Sequence, residues 1–172
     1  STAMVLIPLS PHLAVQYDFA LSVSVRIGCP WQQGLGWDAQ DPNLVLHCVE
    51  ARQRWYDEII PALDPDVIVA VHVPRDEGSR ADAFFEPVGD ADGRAIDEIV
   101  ADTTNASLDA LTANGARVVL LEPLPYDRQD PTKCLSGATT VGDCAYQANA
   151  TPFPTELSYR AADAARADVV SI

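Results

Sequence analysis

Val67-Ile68-Val69-Ala70-Val71-His72-Val73 is an almost unbroken apolar and largely β-branched run. It is too short for a helix that buries one face and too uniformly apolar for a strand with one wet side, so it reads as a strand buried in a parallel sheet. Upstream, Leu46, Val49, Trp55, Ile59 and Ile60 recur at helical spacing as far as Pro61. Downstream, a long polar loop opens at Val73-Pro74-Arg75-Asp76-Glu77-Gly78 and runs through Gly93. Ile96, Ile99, Val100, Leu108 and Leu111 then predict a helix ending near Asn114-Gly115, followed by a strand at 118–121.

The same alternation extends to both ends of the chain. Residues 3–17 predict a buried helix that must accommodate Pro8 and Pro11, and residues 19–27 predict a strand stopped by Gly28-Cys29-Pro30. Beyond a loop that holds Cys134 and Cys144, a helix is expected over 155–166, capped by Thr155 with Glu156 in its first turn. A last strand starts at Val169. Strands alternating with helices predict a three-layer α/β/α sandwich around an open, mainly parallel sheet, in one domain over residues 1–172. Ligands of such sheets bind outside the carboxyl ends of the strands, where the loops at Gly28, His72 and Pro123 would open.

Composition narrows the function classes. Eleven basic residues against twenty-five acidic ones give a formal net charge of −14, which opposes nonspecific binding to nucleic-acid phosphates. No apolar run reaches the roughly 18 to 20 residues that cross a bilayer, and no basic-then-apolar signal segment opens the chain. The four cysteines form two local pairs, Cys29 with Cys48 and Cys134 with Cys144. Disulfides are the favoured reading and imply an oxidising, extracytoplasmic compartment. Zinc is the rival, against which stand the absence of Cys-x-x-Cys spacing and the scattering of the three histidines.

Several motifs together resemble a known family, the SGNH-type serine hydrolases, and within it the domain fused to the C-terminal side of membrane type-3 acyltransferases. Ser1-Thr2-Ala3 resembles the family's Gly-Asp-Ser turn with its first two residues removed, and Gly28-Cys29-Pro30 resembles the glycine block that follows the next strand. The aromatic helix with Trp55, the strand opening at Pro65-Asp66-Val67, the segment from Gly115 to Pro125 and the Cys134 to Cys144 loop are similar as well. The resemblance implies an SGNH, flavodoxin-like domain that lacks its first strand and its last segment. It also implies Ser1 as nucleophile and Gly28 as an oxyanion-hole donor. Two departures accompany it. The family's catalytic Asp-x-x-His is found nowhere in the 172 residues, and the third block, usually an asparagine, reads Val71-His72-Val73-Pro74-Arg75.

A serine needs a neighbouring imidazole to take its proton, so Ser1 requires a base from outside this sequence. Gly28 can offer its N–H to an oxyanion because no side chain blocks the approach. Either residue taken alone reads equally as a helix cap or a turn glycine. His72 is a candidate oxyanion or substrate contact and Arg75 a candidate for steering an anionic or sugar group. Trp31 and Trp37 flank a Gly-rich loop, where they can stack on a sugar or pack beneath the disulfide. His12 and His47 read as packing or surface residues. Asn105-Ala106-Ser107 and Asn149-Ala150-Thr151 match the glycosylation triplet and receive no function.

The expected activity is an extracytoplasmic serine acyltransferase or esterase that moves an acyl group, expected to be acetyl, onto a cell-envelope glycan, with no cofactor or metal. The resemblance implies as partners a membrane type-3 acyltransferase domain in the same polypeptide, which tethers this portion to the membrane, an acyl donor and a glycan acceptor. A secreted carbohydrate or lipid esterase is the nearest alternative. A noncatalytic glycan-binding domain is the alternative from another class.

Overall fold

A computed structural model describes residues 10–26, 29–36, 42–71, 93–122, 131–145 and 151–172. Within them the chain is an α/β fold. Its sheet has three parallel strands, β1 (Val67–Val71), β2 (Arg117–Leu121) and β3 (Val169–Ser171), in the order β1-β2-β3. Ile68 lies beside Val118 and Val118 beside Val169, and one residue further on Val69, Val119 and Val170 line up. Parallel neighbours require crossover connections, which the intervening helices supply.

The helices are α1 (Ser10–Tyr17), α2 (Pro42–Arg54), α3 (Ile60–Leu63), α4 (Ile96–Thr112), α5 (Pro131–Gly137) and α6 (Pro154–Ala165). Proline and glycine chemistry explains several boundaries. Pro61 has no N–H to offer the carbonyl four residues back and its ring crowds that position, so α2 passes into α3 through a wide π-helical turn, Trp55–Ile59. There the Ile60 N–H reaches the Trp55 carbonyl instead. Beyond α4, Gly115 takes φ 91° while its N–H bonds the Thr112 carbonyl at 2.8 Å, the left-handed stop that the sequence placed at Asn114-Gly115. Helix α6 starts one residue earlier than expected, at Pro154. Thr155 is therefore a fully buried first-turn residue and not the cap, while the Glu156 carboxylate accepts from the Phe153 N–H at 3.4 Å.

Core packing gathers on one face of the sheet. Ala70, Val118, Leu120 and Val169 meet Leu108 and Leu111 of α4, Tyr159 and Ala162 of α6, and Trp31, with Tyr56, Ile60 and Ile68 against the edge of the cluster. Leu108, Leu120 and Tyr159 are completely buried, each contributing about 1.5–3 kcal/mol of apolar transfer free energy. On the opposite face Val67 and Val69 are 52% and 57% exposed and Val170 is 37% exposed. Two layers of the expected sandwich are therefore present among the described residues, and the third is not.

Two further expectations are corrected. Residues 19–26 enter no sheet, and Phe19, Leu21 and Val23 are exposed. Strand composition alone does not make a strand, since the ladder needs an edge to pair with, and no described strand lies beside this segment. The helix expected over 3–17 is described only from Ser10, with Pro11 in its first turn, and Asp18 ends it at φ 51°.

Both disulfides form. Cys29 bonds Cys48 with Cα atoms 5.4 Å apart, and Cys134 bonds Cys144 at 5.9 Å, joining α5 to the 3-10 turn Val141–Cys144. No described cysteine is free, so these four thiols are not zinc ligands. Two disulfides are consistent with an oxidising, extracytoplasmic environment. Among the described residues no helix is long and apolar enough to cross a membrane.

Candidate functional site

The segment Cys29 to Gly36 has no regular secondary structure beyond an isolated bridge at Leu35, yet much of it is buried. Pro30, Gln32 and Leu35 are essentially inaccessible and Trp31 is 8% exposed. Connecting segments normally run over the surface because their backbone polar groups need partners. In this loop the partners come from three helices. Cys48 and Arg52 lie four residues apart on one face of α2, so the disulfide from Cys48 and the guanidinium of Arg52 reach the same loop. Arg52 is 3% exposed, and its Nη1 donates to the carbonyls of Pro30 at 3.2 Å and Leu35 at 2.5 Å. The hydroxyl of Tyr56 donates to the Trp31 carbonyl at 3.0 Å.

Helices α4 and α6 hold the other side. The Gln33 N–H donates to the Ser107 hydroxyl at 2.7 Å, Gln32 Nε2 reaches the Thr104 hydroxyl at 3.5 Å, and Trp31 Nε1 donates to the Tyr159 hydroxyl at 2.7 Å. Leu35 packs with Ile99 and Val100. Gly34, at φ 84°, brings its backbone so close that an added Cβ would lie 3.3 Å from the Thr103 methyl. Gln32 Oε1 is the one buried side-chain acceptor among the described residues without a hydrogen-bond partner.

Burial dominates the electrostatics of this cluster. Desolvation lowers the pKa of Arg52, and the nearby Tyr56 partly offsets it. Desolvation raises Tyr56 well above the ordinary phenol range, with a Ser107 hydrogen bond and the Arg52 charge acting in the other direction, so its hydroxyl stays a neutral donor. Arg52 spends its hydrogen bonds on backbone carbonyls, an expensive way to hold a buried cation unless the geometry it imposes matters.

Of the residues singled out in the sequence, Ser1, Gly28, Trp37, His72 and Arg75 lie outside the described residues. Trp31 is described, and its place is the core: a ring 8% exposed, with its N–H engaged by Tyr159 and its plane tilted 43° against that ring, has no open face for a sugar. The packing role takes the place of the glycan contact. His12 and His47 are surface residues, His47 lying 3.7 Å from Glu50. The described residues contain no group of three or more His, Cys, Asp or Glu able to hold a metal ion. Sequence reasoning missed Arg52, Tyr56, Thr104 and Ser107. The available signal was Arg52 one helical turn beyond Cys48, on the face that the disulfide aims at the loop.

At the end of β2, Glu122 accepts from Arg160 Nε and Nη2 at 2.9 and 2.8 Å and from the Ser171 hydroxyl at 2.9 Å, while Arg160 also bonds Glu156. These bonds, Arg160 first, hold the Glu122 carboxyl below its usual range. They tie the carboxyl ends of β2 and β3 to α6.

Comparison with family models, with curated proteins and with solved structures finds no match to this chain.

Proposed function

We propose that this chain belongs to an extracytoplasmic serine acyltransferase of the SGNH type, acting on a hydroxyl of a cell-envelope glycan. The observation that supports the reading is the immobilised loop that begins at Cys29, one peptide bond after Gly28. An oxyanion donor works by being held in place before the reaction, and a loop locked by a disulfide, a buried arginine and three helices is suited to holding one. The parallel α/β sheet and the two disulfides agree with the fold and compartment that the reading needs.

In this mechanism Ser1 Oγ attacks the acyl carbonyl of a donor presented by a membrane domain, and its proton passes to the histidine of an Asp-x-x-His segment that these 172 residues do not supply. The oxyanion accepts from the backbone N–H groups of Ser1 and Gly28, each such donor being worth about 3 kcal/mol. Collapse expels the donor's leaving group and leaves an acyl-serine. A sugar hydroxyl, deprotonated by the same histidine, then takes the acyl group.

The test uses the polypeptide that carries these residues together with the Asp-x-x-His segment, assayed on p-nitrophenyl acetate and on envelope oligosaccharide acceptors. Ser1→Ala is expected to lower turnover at least ~10³-fold, and Gly28→Ala roughly 10- to 10³-fold. Equal activity with Ser1→Ala refutes the nucleophile. No hydrolysis and no transfer with Ser1 intact favours the noncatalytic glycan-binding reading.

A further inference from the structure

We infer that Arg52 is a positioning residue that, with the Cys29–Cys48 bond, fixes the backbone immediately following Gly28 for transition-state stabilisation. The inference rests on the proposed role of Gly28. Its own support is the geometry of the loop. One nitrogen of a 3% exposed guanidinium donates to carbonyls at both ends of the segment, Pro30 and Leu35, and so closes a ring of backbone around itself. The disulfide pins the residue before that ring, and Tyr56 pins the Trp31 carbonyl inside it. All three tethers come from the continuous helical stretch that runs from α2 through its wide turn. An apolar side chain would fill the same space without the desolvation cost of a buried cation, but it would hold neither carbonyl. Lysine can donate to either carbonyl, yet it lacks the rigid planar head that fixes a donor direction.

An oxyanion donor that drifts by a fraction of an ångström loses transition-state stabilisation while ground-state binding is little changed. Arg52→Met is therefore expected to lower kcat about 10- to 100-fold with KM within about twofold, and Arg52→Lys to fall between the two proteins. Leu111→Ala, which opens the core away from the loop, is the control for lost stability and should leave kcat per folded molecule unchanged. Amide exchange at Gln33, whose N–H is held by Ser107, supplies a readout independent of catalysis and should speed up at least about tenfold in Arg52→Met.

The experiment uses the same full polypeptide. If Arg52→Met does not fold, Arg52→Lys carries the comparison. A kcat equal to wild type in both variants overturns the positioning role while leaving Ser1 and Gly28 as proposed. Faster Gln33 exchange in a protein whose Ser1→Ala variant is as active as wild type overturns the catalytic reading instead, and shows the clamp to be structural.

Discussion

The indole N–H of Trp31 donates to the hydroxyl of Tyr159 across 2.7 Å, joining residues 128 positions apart in the sequence. Both rings lie in the core beside Leu108 and Val118. Tyr159→Phe keeps the ring and removes the acceptor, which leaves a buried N–H without its partner. The expected loss is about 1–3 kcal/mol, measured by urea unfolding with the slope unchanged. A loss below about 0.3 kcal/mol would show that the bond adds nothing beyond packing.

Both disulfides should survive non-reducing peptide mapping as Cys29–Cys48 and Cys134–Cys144. Each closes a local loop worth roughly 2–4 kcal/mol in the chain-entropy view. Replacing Cys134 and Cys144 together by serine should lower stability by that order. Recovery of all four thiols in free form from protein made in an oxidising compartment would remove the compartment argument.

Glu122 carries a pH signature. Its folded pKa is depressed, chiefly by Arg160, so the stabilisation is present above the unfolded carboxylate pKa and is lost as pH falls through the lower folded value. Glu122→Gln should therefore lower Tm at pH 7 by about 1–3 °C, the modest size reflecting a partner that is half exposed. At a pH below the folded pKa the variant and the parent should converge. A gap of constant size across the acid range would assign the effect to shape, not charge.

The valine face of the sheet should be adhesive. Val67 and Val69 are more than half exposed and Val170 lines up with Val69 across β2, so this portion alone should bind a hydrophobic dye such as ANS and self-associate at high concentration. Val69→Lys should reduce both effects while changing stability by less than about 1 kcal/mol, because the side chain is 57% exposed. Unchanged dye binding in that variant would locate the adhesive surface elsewhere.

The sequence by itself determined the strands at 67–71, 117–121 and 169–171, the helices between them and the pairing of the cysteines. Periodicity, turn glycines and short cysteine separations are local properties, and the interactions they predict close over a few to about twenty residues. Pro61, for example, stood visibly in the helical pattern, but the wide turn that absorbs it became visible only in the backbone. Only the tertiary structure decided that residues 19–26 pair with no described strand, that Thr155 is buried inside its helix, and that Trp31 packs against Tyr159. It alone revealed Arg52, since an arginine on a helix is read as a solvated charge until a distant backbone closes over it. Such outcomes depend on which surfaces meet across the core, and that is set by contacts between segments far apart in the chain, which no local pattern encodes.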